Sequence, residues 1–84
     1  MTPPVQLTLT AQSSAGLLCR LLGLLAQHDL AAPDMQVTNS GAQMQVEMVL
    51  RGLSLQSARI VAEKMRRCIG VTAVSEAAPA PIAA

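Results

Sequence analysis

The run VQLTLTAQSSAGLLCRLLGLLAQH, Val5 to His28, changes its hydrophobic period partway along, and that change decides the fold. From Val5 to Thr10, Val and Leu alternate strictly with Gln and Thr, the period-2 pattern of a half-buried strand. Gln12-Ser13-Ser14 interrupts the alternation and supplies hydroxyls suited to capping a helix. From Ala15 to His28 the period lengthens. Leu17, Leu18, Leu21, Leu22, Leu24 and Leu25 fall within roughly 160° of a helical wheel, opposite Cys19, Arg20, Gly23, Ala26 and Gln27. This spacing predicts a helix that lays a broad leucine face on a sheet. Asp29, Ala32, Pro33 and Asp34 end it, since proline cannot continue a helix.

The same grammar repeats downstream. Met35 to Thr38 and Met44 to Arg51 read as strands joined through Asn39-Ser40-Gly41, good hairpin chemistry. Ser54 caps a second predicted helix, Leu55 to Ile69, whose Leu55, Ala58, Val61, Ala62, Met65, Cys68 and Ile69 share an arc of roughly 140°. Arg59/Glu63 and Glu63/Arg67 stand at the supporting i,i+4 spacing on its other side. Gly70 stops this helix, and Val71 to Glu76 forms a last strand. The order βαββαβ, with right-handed crossovers, predicts an α+β, ferredoxin-like sandwich: a four-stranded antiparallel sheet with two helices on one face. Residues 1–4 form a lead, 5–76 one domain, and 77–84 a flexible Ala/Pro tail. The two helices are expected to run roughly parallel, placing Cys19 and Cys68 about 15 Å apart by helical rise, too far for a disulfide.

Composition narrows the function classes. With 84 residues, 51% apolar and 13% charged, the chain folds as one small domain. A domain this size gains stability from association, so a homodimer or a partner subunit is expected. There is no Phe, Tyr or Trp to stack on nucleic-acid bases, and a net charge of +1 steers toward neither nucleic acid nor an anionic membrane. Cys19, Cys68 and His28 are too scattered for a metal cage. The apolar run Ala15 to Ala26 contains Arg20 and falls well short of the ~20 residues that span a bilayer. Met1-Thr2-Pro3-Pro4 lacks the basic start of an export signal, so the expected location is cytoplasmic with reduced thiols. The first loop carries neither a CxxC pair for metal transfer nor an arginine cradle for phosphate. No nucleophile, base and orienting group come together in the pattern, so neither an enzyme nor a cofactor is expected.

One segment has chemical potential. Ser13, Ser14 and Gly16 precede or open a helix whose first N–H groups lack internal partners, and the helix dipole favours a carboxylate there. That is a seat for a zwitterionic amino acid, although Ser-Ser-x-Gly more often simply starts a helix. The basic face of the second helix (Arg59, Lys64, Arg66, Arg67) reads as solvated or as a dock for an acidic partner. Ile60 among those charges is the better interface residue. Gln6, Thr8, Thr10, Gln36, Thr38, Gln45 and Thr72, with Val49, make an uncharged sheet face that is either wet or covered by another subunit.

Ser13-Ser14-Ala15-Gly16-Leu17-Leu18 resembles the opening motif of the ACT domain family: an Asp or Asn, two variable positions, then Gly-x-Leu. Cys19 to His28 resembles that family's arginine-containing first helix, and Gly70-Val71-Thr72-Ala73-Val74 its closing Gly-Val-x-x-Val. Within the family, Arg20-Leu21-Leu22-Gly23-Leu24, the Cys68 to Glu76 ending and the short length are most similar to small regulatory subunits of acetolactate synthase. The resemblance implies a non-catalytic subunit that binds a thiamine-diphosphate-dependent catalytic partner and senses a branched-chain amino acid at an interface between ACT domains. Ser13 stands where the family contacts the ligand amine, and Gly16 and Leu17 where amides meet its carboxylate. Ser13 in place of Asp or Asn, Ala15 in place of Pro and Asp29 in place of Gly depart from the pattern. Such changes would keep fold and partner while weakening the effector site. The alternative is an ACT module serving oligomerisation or regulation of another amino-acid enzyme without a small-molecule effector.

Overall fold

The computed structural model describes residues 4–28 and 33–77. Along the chain lie β1 (Val5–Gln12), α1 (Ala15–Gln27), β2 (Asp34–Ser40), β3 (Gln43–Leu50), α2 (Leu55–Arg66) and β4 (Val71–Ala77). The strands form one antiparallel sheet in the order β2-β3-β1-β4, and both helices cover one face of it. This is the ferredoxin-like plan read from the sequence. The expectations for residues 1–3, for the helix-ending residues 29–32 and for the tail from residue 78 lie outside the described residues.

Strand alternation builds the core directly. Leu7 faces Met48 and Leu9 faces Val46 across the β1–β3 ladder, and all four are fully buried. The register continues through Val5/Leu50 and Ala11/Met44, so every second residue of both strands enters the core. From above, Leu17, Leu21 and Leu25 of α1 and Ala58, Val61, Ala62 and Met65 of α2 close the layer. No polar or charged side chain is buried among the described residues, so the layer is held by apolar packing.

The leucine arc of α1 is wider than its contact. Leu18 and Leu24 pack against the core only partly, and Leu22 remains 39% exposed. The second helix is shorter than its apolar pattern. It ends at Arg66, capped by Arg67, whose N–H reaches back to the carbonyls of Glu63 and Lys64. Ile69 therefore sits in the connecting turn, 87% exposed, and Leu55 at the first turn is 56% exposed. The hairpin turn is also tighter than read: Asn39 and Ser40 belong to β2, and Gly41-Ala42 makes the reversal with Gly41 at φ 62°.

The direction of the helices corrects the sequence reading. β1 and β3 are antiparallel, and each is followed by a helix that returns against it, so α1 and α2 run in opposite directions. The end of α2 thus arrives beside the start of α1. Gln12 N–H donates to the Gly70 carbonyl at 2.9 Å across this junction. Helical rise does not separate Cys19 from Cys68, although both are free thiols.

Truncating Leu9 or Met65 to Ala should cost about 2–5 kcal/mol, whereas Leu22→Ala should stay within about 0.5 kcal/mol. Urea unfolding followed by circular dichroism checks both. Equal losses at Leu9 and Leu22 would mean that the arc, rather than the observed contact, carries the packing.

Candidate functional site

Three connections meet at one end of the sheet because the strands alternate in direction: the β1–α1 bend, the β2–β3 turn and the α2–β4 junction. They are stitched together through the bend. Ser13 N–H donates to the Ala42 carbonyl at 2.9 Å, and the Ser13 hydroxyl donates to Asn39 Oδ1 at 2.7 Å. Ser14 is the N-cap of α1 in extended conformation, φ −157° and ψ 123°, and its hydroxyl accepts the Leu17 N–H at 3.2 Å. Its carbonyl accepts the Leu18 N–H at 3.1 Å.

The residues assigned to an effector therefore come together, but mainly with one another. Ser13 and Ser14 are exposed, yet each hydroxyl already has a partner within the chain. Leu17 is only 4% exposed and its amide is bonded to Ser14. Gly16 is exposed, and among the described residues neither its N–H nor that of Ala15 has an internal acceptor. On the open sheet face nearby, Thr10, Thr38, Ser40, Gln43, Met44 and Gln45 line a shallow hollow of about 140 Å³. Its lining carries no charge, and neither Ser14 nor Gly16 borders it. Asn39, which completes the stitch, went unnoticed in the sequence because it reads there as a turn residue.

Gly70 closes the junction from the other side. It adopts φ 101°, and a Cβ there would stand 3.0 Å from Leu17 Cδ2 and 3.3 Å from the Gln12 side-chain oxygen. Only glycine fits both the backbone and the space. One residue on, β4 shifts register against β1 between Thr10 and Ala11, and Thr72 donates its hydroxyl to the Thr10 carbonyl at 2.9 Å. Thr72 thus sits at a bulge and is not a regular member of the open face.

The interface candidates on α2 divide into two groups. Arg59, Ile60 and Arg67 are exposed to solvent. Arg66 is an internal tie: it pairs with Glu63 at 2.6 Å and Glu76 at 3.7 Å, and donates to the Val74 carbonyl at 3.1 Å. Glu63 thus serves the i,i+3 arginine and neither Arg59 nor Arg67 at i,i+4. The signal for this tie lay in strand alternation, which puts Glu76 opposite Leu7 on the helix-covered face. His28 is the C-cap of α1 and lies 3.5 Å from Lys64 Nζ, joining the two helices at their outer surface.

Among the described residues no three His, Cys, Asp or Glu side chains gather as a metal set would, and none of these groups is buried away from water. No helix of the described residues is long and apolar enough to cross a membrane.

A four-stranded sheet ordered β2-β3-β1-β4 under two antiparallel helices defines a ferredoxin-like module. The profile of the ACT-like domain matches residues 3–81, and the chain belongs to that family. Solved structures agree on the fold. The ACT domain from GTP pyrophosphokinase of Chlorobium tepidum superposes with a TM-score of 0.74 at 10% identity, covering 92% of this chain and 100% of that one. The C-terminal domain of the MgtC protein from Mycobacterium tuberculosis gives 0.72 at 12% identity, covering 95% of each chain. Formyltetrahydrofolate deformylase from Burkholderia mallei gives 0.58 at 24% identity, over 89% of this chain and 27% of the enzyme. No curated protein sequence matches significantly.

Replacing Ser14 by Ala should cost about 1 kcal/mol through loss of the cap. Gly70→Ala should cost at least about 1–3 kcal/mol, from an unfavourable backbone and the displaced Leu17. Thermal unfolding of both variants reads this out; an unchanged Gly70→Ala protein would refute the close junction.

Proposed function

We propose that this ACT-like domain is a regulatory or oligomerisation module that acts through protein contact, for an enzyme of amino-acid metabolism, without a small-molecule effector. The observation that carries this reading is the uncharged β1–α1 bend, whose serines are engaged within the chain, Ser13 donating to Asn39 and Ser14 accepting from Leu17. A ligand amine would find an uncharged acceptor at Ser13, whose hydroxyl is oriented by its bond to Asn39. A ligand carboxylate would find the Ser14 hydroxyl proton and the amides of Ala15 and Gly16, with no charged group among them. Neutral hydrogen bonds that replace bonds to water yield little net free energy. Two similar structures support a role attached to enzymes: one is a domain of GTP pyrophosphokinase, and the other occupies 27% of a deformylase chain.

The finer reading, a small subunit of acetolactate synthase that responds to a branched-chain amino acid, rests on the segments Arg20 to Leu24 and Cys68 to Glu76. None of the matched relatives described above is such a subunit. A homodimer is proposed as well, because a domain of 84 residues leaves Leu22, Leu55 and Ile69 in water.

Thermal melts with valine, leucine, isoleucine and the remaining amino acids discriminate the readings. An effector present at 100 times its dissociation constant would add about 2.7 kcal/mol of stability. The expected result is no shift with any of them, and a reproducible shift with one would replace the effector-free reading. Recovery of a thiamine-diphosphate enzyme with the tagged chain from its native cell would support the acetolactate synthase assignment.

A further inference from the structure

The charge on this molecule is segregated. Arg59, Lys64, Arg66 and Arg67 supply four of the chain's six cations, all from α2 and its cap. Arg66 is neutralised by Glu63 and Glu76. That pairing also removes the one acidic residue of the outer α2 face, so Arg59, Lys64 and Arg67 have no carboxylate partner among the described residues. On the helical wheel Ile60 falls between Arg67 and Lys64, and it is 46% exposed. Together with Gln56 and Glu63 these side chains line a shallow groove of about 340 Å³.

We infer that the outer face of α2 is a docking surface for an acidic protein segment that places an apolar side chain on Ile60. This rests on the reading of the domain as a protein-contact module and names the chemistry of its partner. A second copy of this chain does not complement the face: its described Asp34, Glu63 and Glu76 are already paired with arginines, which leaves Glu47 alone on the opposite face of the molecule. A nucleic acid would meet cations but no aromatic ring. An exposed isoleucine ringed by cations suits an acidic segment with an apolar anchor, since charge sets encounter and register while the buried apolar centre holds the complex.

Amide NMR of the isotope-labelled full chain tests this with a synthetic peptide of repeating Glu-Glu-Leu-Ala units. Shifts should concentrate between Gln56 and Arg67. Arg59→Glu with Arg67→Glu should weaken binding about tenfold or more, and Ile60→Ala about fivefold. If the double variant does not fold, Arg59→Gln with Lys64→Gln serves the same purpose with a smaller loss. Molar salt should weaken the peptide strongly. Absence of localised shifts overturns the surface, as does equal binding of polyglutamate lacking leucine. Tighter binding of anionic vesicles or single-stranded DNA to α2 overturns the occupant. An amino-acid melting shift alongside intact peptide binding would defeat only the effector-free reading; no peptide binding and no melting shift would defeat only the docking surface.

Discussion

Everything in this domain depends on β1 being paired on both sides while its alternate side chains enter the core. Leu7, Leu9 and Ala11 are met laterally by β3 and β4, Val5 by β3 alone, and the row is covered from above by the two helices. A slip of one residue would turn this apolar row outward and bring Gln6, Thr8 and Thr10 under the helices, leaving their polar groups without water. The register is therefore held by burial. With no aromatic ring available, the interior is filled by Leu, Val, Ala and the flexible thioethers of Met44, Met48 and Met65.

Strand direction then determines what meets at the sheet's end. Because β1 pairs antiparallel with β4, the exit of β1 and the entry of β4 are neighbours, and Gln12 bonds across to Gly70. The β2–β3 turn reaches the same place, so Ser13 finds Ala42 and Asn39. Gln12 and Ser13 consequently hold three connections together, while Ser14 caps α1.

The strands and the layer arrangement were legible because the alternation in Val5 to Thr10 and Met44 to Leu50 has only one low-energy placement. Helix limits were less so. Leu55 and Ile69 carry the right spacing but lie beyond the sheet's reach, and periodicity does not report where the partner surface ends. The parallel course expected for the helices fails because their direction follows from the antiparallel β1–β3 pair, which helical periodicity does not report. Ser13, Ser14, Gly16 and Leu17, expected as effector contacts, lie along one bend, but the tie of Ser13 depends on Asn39, 26 positions away, which no local pattern reveals. Arg66 was grouped with solvent-facing cations because its partner Glu76 sits on another element.

That last tie bears on how β4 stays in place. Its burial is partial along its whole length, with Val71, Val74 and Glu76 only half-covered, in contrast to the fully buried rows of β1 and β3. An edge strand so weakly covered is held less by apolar transfer than by its ladder with β1 and by polar ties. Two of them act at different points: Thr72 bonds to the Thr10 carbonyl where the register shifts, and Arg66 reaches both Val74 and Glu76 from the helix above. Each is partly exposed and modest alone. Together they fix β4 against α2 and so withdraw Arg66 from the charged helix surface. The cations left outside, Arg59, Lys64 and Arg67, have no carboxylate partner among the described residues, and their concentration on one helix makes the outer α2 face more basic than a net charge of +1 suggests.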